Sequence, residues 1–154
     1  MGNPSGFIQF PRVETGHREI EERIADFREI DVPLATEELN RQAARCMDCG
    51  VPYCHGVGCP VKNRIPEFND LVYRNRWQEA VANLHSTNNF PEITGRICPA
   101  PCEGSCTLAI NDKAVSIKQI EYQIAERGWQ EAWIKPLRPG YKSGNRVAIV
   151  GSGP

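Results

Sequence analysis

The chemistry-bearing residues of this chain are its seven cysteines, which fall in two runs. Cys46, Cys49, Cys54 and Cys59 lie in "RCMDCGVPYCHGVGCP", and Cys98, Cys102 and Cys106 lie in "CPAPCEGSC". Thiols at this density form disulfides, hold zinc or hold iron–sulfur clusters. An odd total without an export signal argues against a disulfide framework. Structural zinc favours paired knuckles with two residues between the cysteines. Only Cys46 and Cys49 have that spacing, the later gaps being four, four, three and three, so zinc stands as the weaker alternative. Ferredoxin-type clusters fit better: three close cysteines serve one cluster, and a fourth, followed by proline, serves the other. Cys46, Cys49 and Cys54 form such a trio, and Cys59-Pro60 is the crossing residue. Cys98-Pro99 repeats the cysteine–proline pair. A reciprocal arrangement follows, in which Cys106 crosses back to the first cluster while Cys98 and Cys102 join Cys59 on the second; one cubane with spare thiols is the alternative the spacing leaves open. Gly50, Gly56, Gly58 and Gly104 would leave room for backbone N–H groups to approach the sulfurs, and such hydrogen bonds tune cluster potential.

Two cubanes require eight ligands, one more than the thiols supply. His55 adjoins Cys54 but reads as a partly exposed loop histidine. His17 and His85 fall on amphipathic helices as surface or boundary residues, and Glu103 reads as facing solvent. Glu121 differs. Ile117, Ile120 and Ile124 mark the buried stripe of its helix, and at about 100° per residue Glu121 lies roughly 60° from the stripe's centre. A carboxylate in that inward sector needs a partner. The residues leave two readings open: an ion pair with Arg96 or a capping contact, or an iron ligand.

The elements that must position these groups read as helices. "HREIEERIADF" carries Ile20, Ile24 and Phe27 at helical spacing between charges. "TEELNRQAARC" has Thr36 as N-cap and two glutamates in its first turn, and runs directly into Cys46. "PEFNDLVYRN" opens with Pro66 at a first helical position, and "RWQEAVANLH" sets Trp77, Ala80, Val81 and Leu84 on one face. "VSIKQIEYQIAERG" closes at Gly128. Residues 1–134 are therefore expected to form a mainly α domain, 135–145 ("KPLRPGYKSGN") a linker, and 146–154 a buried strand entering a glycine turn. Among 154 residues, 18 Lys and Arg nearly balance 19 Asp and Glu, so no basic footprint for nucleic acid is present. No apolar run approaches the ~18 residues of a membrane span. The opening lacks the basic start and apolar stretch of a secretory signal, so a cytoplasmic location is expected.

"MGNPSGF", "RCMDCGVPYCHGVGCP", "NNFPEITGRICPAPCEGSC" and "VSIKQIE" closely resemble the N-terminal part of the small (beta) subunit of NADPH-dependent glutamate synthases. The resemblance spans essentially the whole chain, and the two-cluster domain of dihydropyrimidine dehydrogenase, with a longer second run, is more distantly similar. It implies a helical domain with two 4Fe-4S clusters, the first on Cys46, Cys49, Cys54 and Cys106. The second would use Cys59, Cys98 and Cys102, completed by a Gln or Glu on the following helix, which falls on Glu121. "VAIVGSGP" resembles the first strand and glycine turn of an FAD-binding Rossmann domain, with Gly151 and Gly153 as its first two glycines. The resemblance thus implies an electron relay from NADPH-reduced FAD, bound by the subunit's own further domain, through the clusters to an FMN-containing large (alpha) subunit that forms glutamate from glutamine and 2-oxoglutarate. The fragment alone would bind no FAD and turn over no NADPH. The alternatives are a related NAD(P)H-dependent oxidoreductase subunit and a non-redox, metal-stapled docking module.

Overall fold

The computed structural model describes residues 2–136 and 138–151. Among these residues, eight α-helices run in chain order: α1 (Gly6–Gln9), α2 (Ile20–Arg23), α3 (Thr36–Ala44), α4 (Ile65–Tyr73), α5 (Trp77–His85), α6 (Pro91–Ile97), α7 (Pro101–Gly104) and α8 (Ile117–Gln130). A π-helical turn spans Cys54–Gly58 and a 3-10 turn spans Thr107–Ile110. Two short strands, β1 (Gly16–His17) and β2 (Asp31–Val32), pair antiparallel with Gly16 opposite Val32.

α8 is the central post, with α3, α4, α5, α6 and α7 packed around it. Its Ile117, Ile120 and Ile124 are buried together with Leu39 of α3, Phe68 and Val72 of α4, and Leu84 of α5. The expected face of α5 is the buried one, since Trp77, Ala80, Val81 and Leu84 all lie in the core. Cys59 and Cys102 belong to this same core, so the hydrophobic packing that folds the domain also fixes one thiol from each cysteine run.

Several sequence expectations are corrected. α8 does not close at Gly128 but continues to Gln130. A glycine inside a helix costs about 1 kcal/mol; here it makes room, because a Cβ would meet Val81 Cγ2 and Ile134 Cδ1 at 3.0 Å. Thr36 is the first helical residue of α3 rather than its cap, which is Ala35 and makes no side-chain capping bond. Pro66 sits in the first turn of α4, one residue after Ile65.

The helix expected over 17–27 shrinks to the single turn of α2, leaving Ile20, Ile24 and Phe27 exposed. His17 lies on β1, paired with Asp31 (Nδ1–Oδ1 2.8 Å), not on a helix. An amphipathic helix gains its stability from burying its stripe, and here the stripe is left uncovered. Arg18 instead reaches Asp26 through Nη1 (2.9 Å) and Nη2 (2.8 Å), and Asp26 Oδ1 accepts from the Arg28 amide (2.9 Å), folding the segment into a turn.

Residues 146–151, the described part of the expected strand, are exposed and form no strand. A strand needs a neighbouring strand to take its backbone hydrogen bonds, and among the described residues β1 and β2 pair with each other and not with it. Gly151 is described, with φ +97°, the left-handed backbone a glycine turn uses; Gly153 lies outside the described residues.

Candidate metal centre

The first cysteine run is a chain of tight reversals beginning where α3 ends. Arg45, fully buried, anchors this point by donating from Nε to Phe10 O (3.0 Å), from Nη1 to Ala114 O (2.8 Å) and from Nη2 to Lys113 O (2.8 Å) and Asp112 (3.0 Å). Cys46 follows, and Asp48 takes the left-handed backbone (φ 51°), which turns its amide toward the Cys46 sulfur. The π-helical turn then carries Cys54 to Cys59, closed by Cys59 N donating to Cys54 O (2.8 Å). Pro60 disfavours helical backbone for the residue before it, and Cys59 is extended (ψ 117°), so it terminates the turn.

The second run repeats the device. Pro99 holds Cys98 extended (ψ 134°) at the end of α6. Ala100, left-handed at φ 55°, donates its amide to Cys98 Sγ (3.4 Å). α7 carries the buried Cys102, and Cys106 opens the 3-10 turn. A non-glycine residue at positive φ is uncommon, and Asp48 and Ala100 each sit two residues after a cysteine, where the turn aims an N–H at the sulfur. Gly50, Gly56 and Gly104 have open space where a side chain would stand. The amides that face sulfurs belong to Asp48, His55, Asn63 and Ala100. Gly58 serves close packing instead, because its backbone lies against Cys102 and Ser105.

The fold brings these residues into two sets. Cys46, Cys49, Cys54 and Cys106 line one small cavity, walled by Ile65, Leu108, Val115 and Ile117. Burial first, and then the neighbouring charges of Cys46, Cys106 and Cys49, push the Cys54 thiol up to about 12. Burial likewise pushes Cys46 up to about 11. In the other set, burial pushes Cys102 up to about 12, aided by the charges of Glu103, Cys59, Glu121 and Cys98. Without a metal these thiols are protonated at neutral pH, and a metal would take the place of the protons. Among the described residues, no three His, Cys, Asp or Glu groups converge closely enough to hold a single metal ion.

Asn69 tests whether the first cavity suits a sulfur-rich cluster. It is fully buried on α4 and lines the cavity, its amide lies against the Cys46 sulfur and favours the thiolate, yet neither amide atom completes a well-formed hydrogen bond to the protein. A buried donor left without a partner is costly, and a cavity ringed by four thiols, with one amide pointing inward, fits a cluster whose sulfurs accept hydrogen bonds. Sequence reasoning passed over Asn69, although a polar residue four after Ile65 and three before Val72 sits on the inward stripe by the same periodicity that singled out Glu121.

Glu121 is buried, and burial raises its pKa, opposed by hydrogen bonds from Thr94 and Asn63. Of its two expected partners, Arg96 is excluded: that guanidinium pairs with Glu29 (2.6 Å) and Glu126 (2.9 Å) and stacks on Tyr122 at 4.6 Å. Glu103 is not a solvent-facing residue, since its carboxylate pairs with Arg12 (2.7 Å) and accepts from the Lys118 amide (3.0 Å) at the start of α8. His55 has its Nδ1 3.0 Å from Asn63 O, and because a carbonyl only accepts, that nitrogen carries the proton. His85 lies in the last turn of α5.

Helices that pack two cysteine-led sets of donors around a shared core define a protein of the iron–sulfur class. Residues 23–133 match the family described as dihydropyrimidine dehydrogenase domain II, 4Fe-4S cluster, and the chain belongs to that family. It is 53% identical, over its whole length, to the glutamate synthase [NADPH] small chain of Bacillus subtilis, of which it covers 33%. It is 50% identical over its whole length to the small chain of Mycobacterium tuberculosis, covering 32% of it. With 97% of its length it is 49% identical to 7% of the glutamate synthase [NADH] of Schizosaccharomyces pombe. The chain thus spans about a third of the length of the small-chain relatives. No helix among its described residues is long and apolar enough to cross a membrane.

Proposed function

We propose that this chain is the electron-relay domain of a glutamate synthase small subunit and holds two 4Fe-4S clusters. Cys46, Cys49, Cys54 and Cys106 hold the first; Cys59, Cys98, Cys102 and Glu121 hold the second. The observation that carries this reading is the division of the donors into two sets, with Cys106 crossing from the second run to the cavity of the first. When bound, a 4Fe-4S cluster supplies one-electron transfer with little rearrangement, which suits a step between two flavins.

The chain's own residues do the positioning. Cys59 and Cys102 are held in the hydrophobic core, Asp48 and Ala100 turn amides toward sulfur, and Glu121 offers an oxygen donor from a rigid helix. FAD and NADPH would be bound by a further domain of the same subunit, of which Gly151 and Gly153 begin the flavin turn. The electrons would pass to the FMN-bearing large subunit for glutamate synthesis.

The test is chemical analysis and electron paramagnetic resonance of anaerobically purified full-length protein. About eight irons per chain with equal sulfide are expected, as two cubanes require. Glu121→Ala is expected to leave the first cluster intact and render the second labile, because the harder oxygen donor marks its most weakly held iron. About one or two zinc ions and no sulfide would refute the reading in favour of a metal-stapled docking module.

A further inference from the structure

The hydrogen bonds to Glu121 all come from neutral donors, and the Lys118 charge acts on it only through space. Its Oε2 accepts from Asn63 Nδ2 (3.0 Å), and its Oε1 accepts from Asn88 Nδ2 (3.2 Å) and Thr94 Oγ1 (2.5 Å). Neutral donors orient a carboxylate without cancelling its charge, which a guanidinium in the same place would do. One of the three donors does more than the others. Asn63 is 1% exposed, and every polar group it has is engaged. Its backbone N donates to Cys59 Sγ (3.3 Å), and its Oδ1 accepts from Thr87 Oγ1 (2.8 Å). Its backbone O accepts from His55 Nδ1 (3.0 Å), on the residue that follows Cys54.

The conformation behind this is specific. Lys62, immediately before, takes the left-handed backbone at φ 58°, and this turn sends the Asn63 amide back toward Cys59. The side-chain orientation is equally determined. Exchanging the amide oxygen and nitrogen would set an acceptor against the Glu121 carboxylate and leave the bond with Thr87 to be remade.

We propose that Asn63 is the positioning residue of the second cluster: it holds the Cys59 sulfur and the Glu121 carboxylate in one frame, sets that cluster's potential, and ties the frame to the loop bearing Cys54. This rests on the reading of Glu121 as a ligand. Asn63→Leu removes the donor to Glu121 and keeps the backbone donor to Cys59. A ligand carboxylate that loses a donor concentrates more negative charge on its iron and favours the oxidised state, so the second cluster's potential falls. Thr87→Val removes only the anchor of the Asn63 amide and acts in the same direction, less strongly.

The experiment is a redox titration followed by electron paramagnetic resonance on full-length protein with reconstituted clusters, comparing Asn63→Leu, Thr87→Val and Glu121→Ala. For Asn63→Leu the expected result is an unchanged first-cluster signal and about a tenfold shift of the second cluster's one-electron equilibrium toward oxidation, about 59 mV. Faster loss of its iron in air accompanies the shift. If Asn63→Leu fails to fold and both signals vanish, Thr87→Val decides by the same readout. Glu121→Ala separates the two readings. Loss of the second cluster there, with unchanged potential and iron retention in the foldable Asn63 or Thr87 variant, would overturn the role of Asn63 alone. Two intact clusters in Glu121→Ala would remove the ligand reading and this inference with it.

Discussion

Gly58 joins the two cysteine runs, and its replacement by alanine offers a severe test of how they are aligned. Its φ is not in the left-handed region, so what the position requires is space. A Cβ there would lie 1.9 Å from Ser105 Oγ, 2.7 Å from Cys102 Cα and 3.0 Å from Pro101 O. Carbon atoms rest at about 3.5–4.0 Å, so the α7 backbone must retreat by roughly 0.8 Å. Metal–ligand distances tolerate only about 0.2 Å. A retreat several times that size separates Cys102 from Cys59, which is chain-adjacent to Gly58. Overpacking of this kind costs about 1–3 kcal/mol, and at about 2–4 °C per kcal/mol for a domain of this size the Tm falls by roughly 2–12 °C. Gly58→Ala is therefore expected to lose the second cluster preferentially, read as about half the iron and sulfide of the parent, with the first cluster's resonance retained. Ser105→Gly in the same chain removes the shortest contact but not the backbone ones, so it restores only part of the loss. Full iron content and a Tm within about 1 °C of the parent in Gly58→Ala would refute the argument that this close approach aligns the two runs.

Three further outcomes are expected. Cys49→Ser and Cys106→Ser should damage the same cluster despite their separation in sequence, and resonance spectra in which Cys106→Ser instead matches Cys98→Ser would refute the crossing. Arg45→Met, which strips donors from the carbonyls of Phe10, Lys113 and Ala114, should cost about 1–3 kcal/mol or more, seen as a lower denaturant midpoint. A midpoint equal to the parent's would show that Arg45 does not anchor the start of the first run. Because burial pushes Cys46 up to about 11 and Cys54 and Cys102 up to about 12, the metal-free thiols are protonated at neutral pH, and loading must release those protons. Reconstitution after iron removal should accordingly quicken as pH rises from 7 to 9, and a flat profile would contradict it.

The cysteine spacing and the isoleucine stripe were sufficient to read a mainly helical domain and to place Glu121 on an inward face, because both signals are local: a period of 3.6 and a short run of ligand-type residues. The faces of α5 and α8 follow from the same periodicity. Where local pattern and tertiary environment disagree, the environment prevails. The stripe of Ile20, Ile24 and Phe27 has helical spacing, but with nothing packed on it only one turn forms, since helix stability comes mainly from burial. Gly128 has the composition of a helix end, yet α8 continues past it to Gln130, and a glycine stands there because Val81 and Ile134 occupy the space a side chain would need.

The partners of Glu121 lay beyond the reach of sequence. Asn63, Asn88 and Thr94 come from separate segments, and only the packing of α6 and of the turn after Cys59 against α8 brings them to one carboxylate. Arg96, the nearer guess, is drawn away by Glu29 and Glu126. The sequence by itself determined which residues are able to bind metal and that they fall in two runs. The tertiary structure decided which thiols share a cavity and what surrounds the buried Glu121 carboxylate, because hydrogen bonds and close backbone approaches depend on distances between segments that no local spacing encodes.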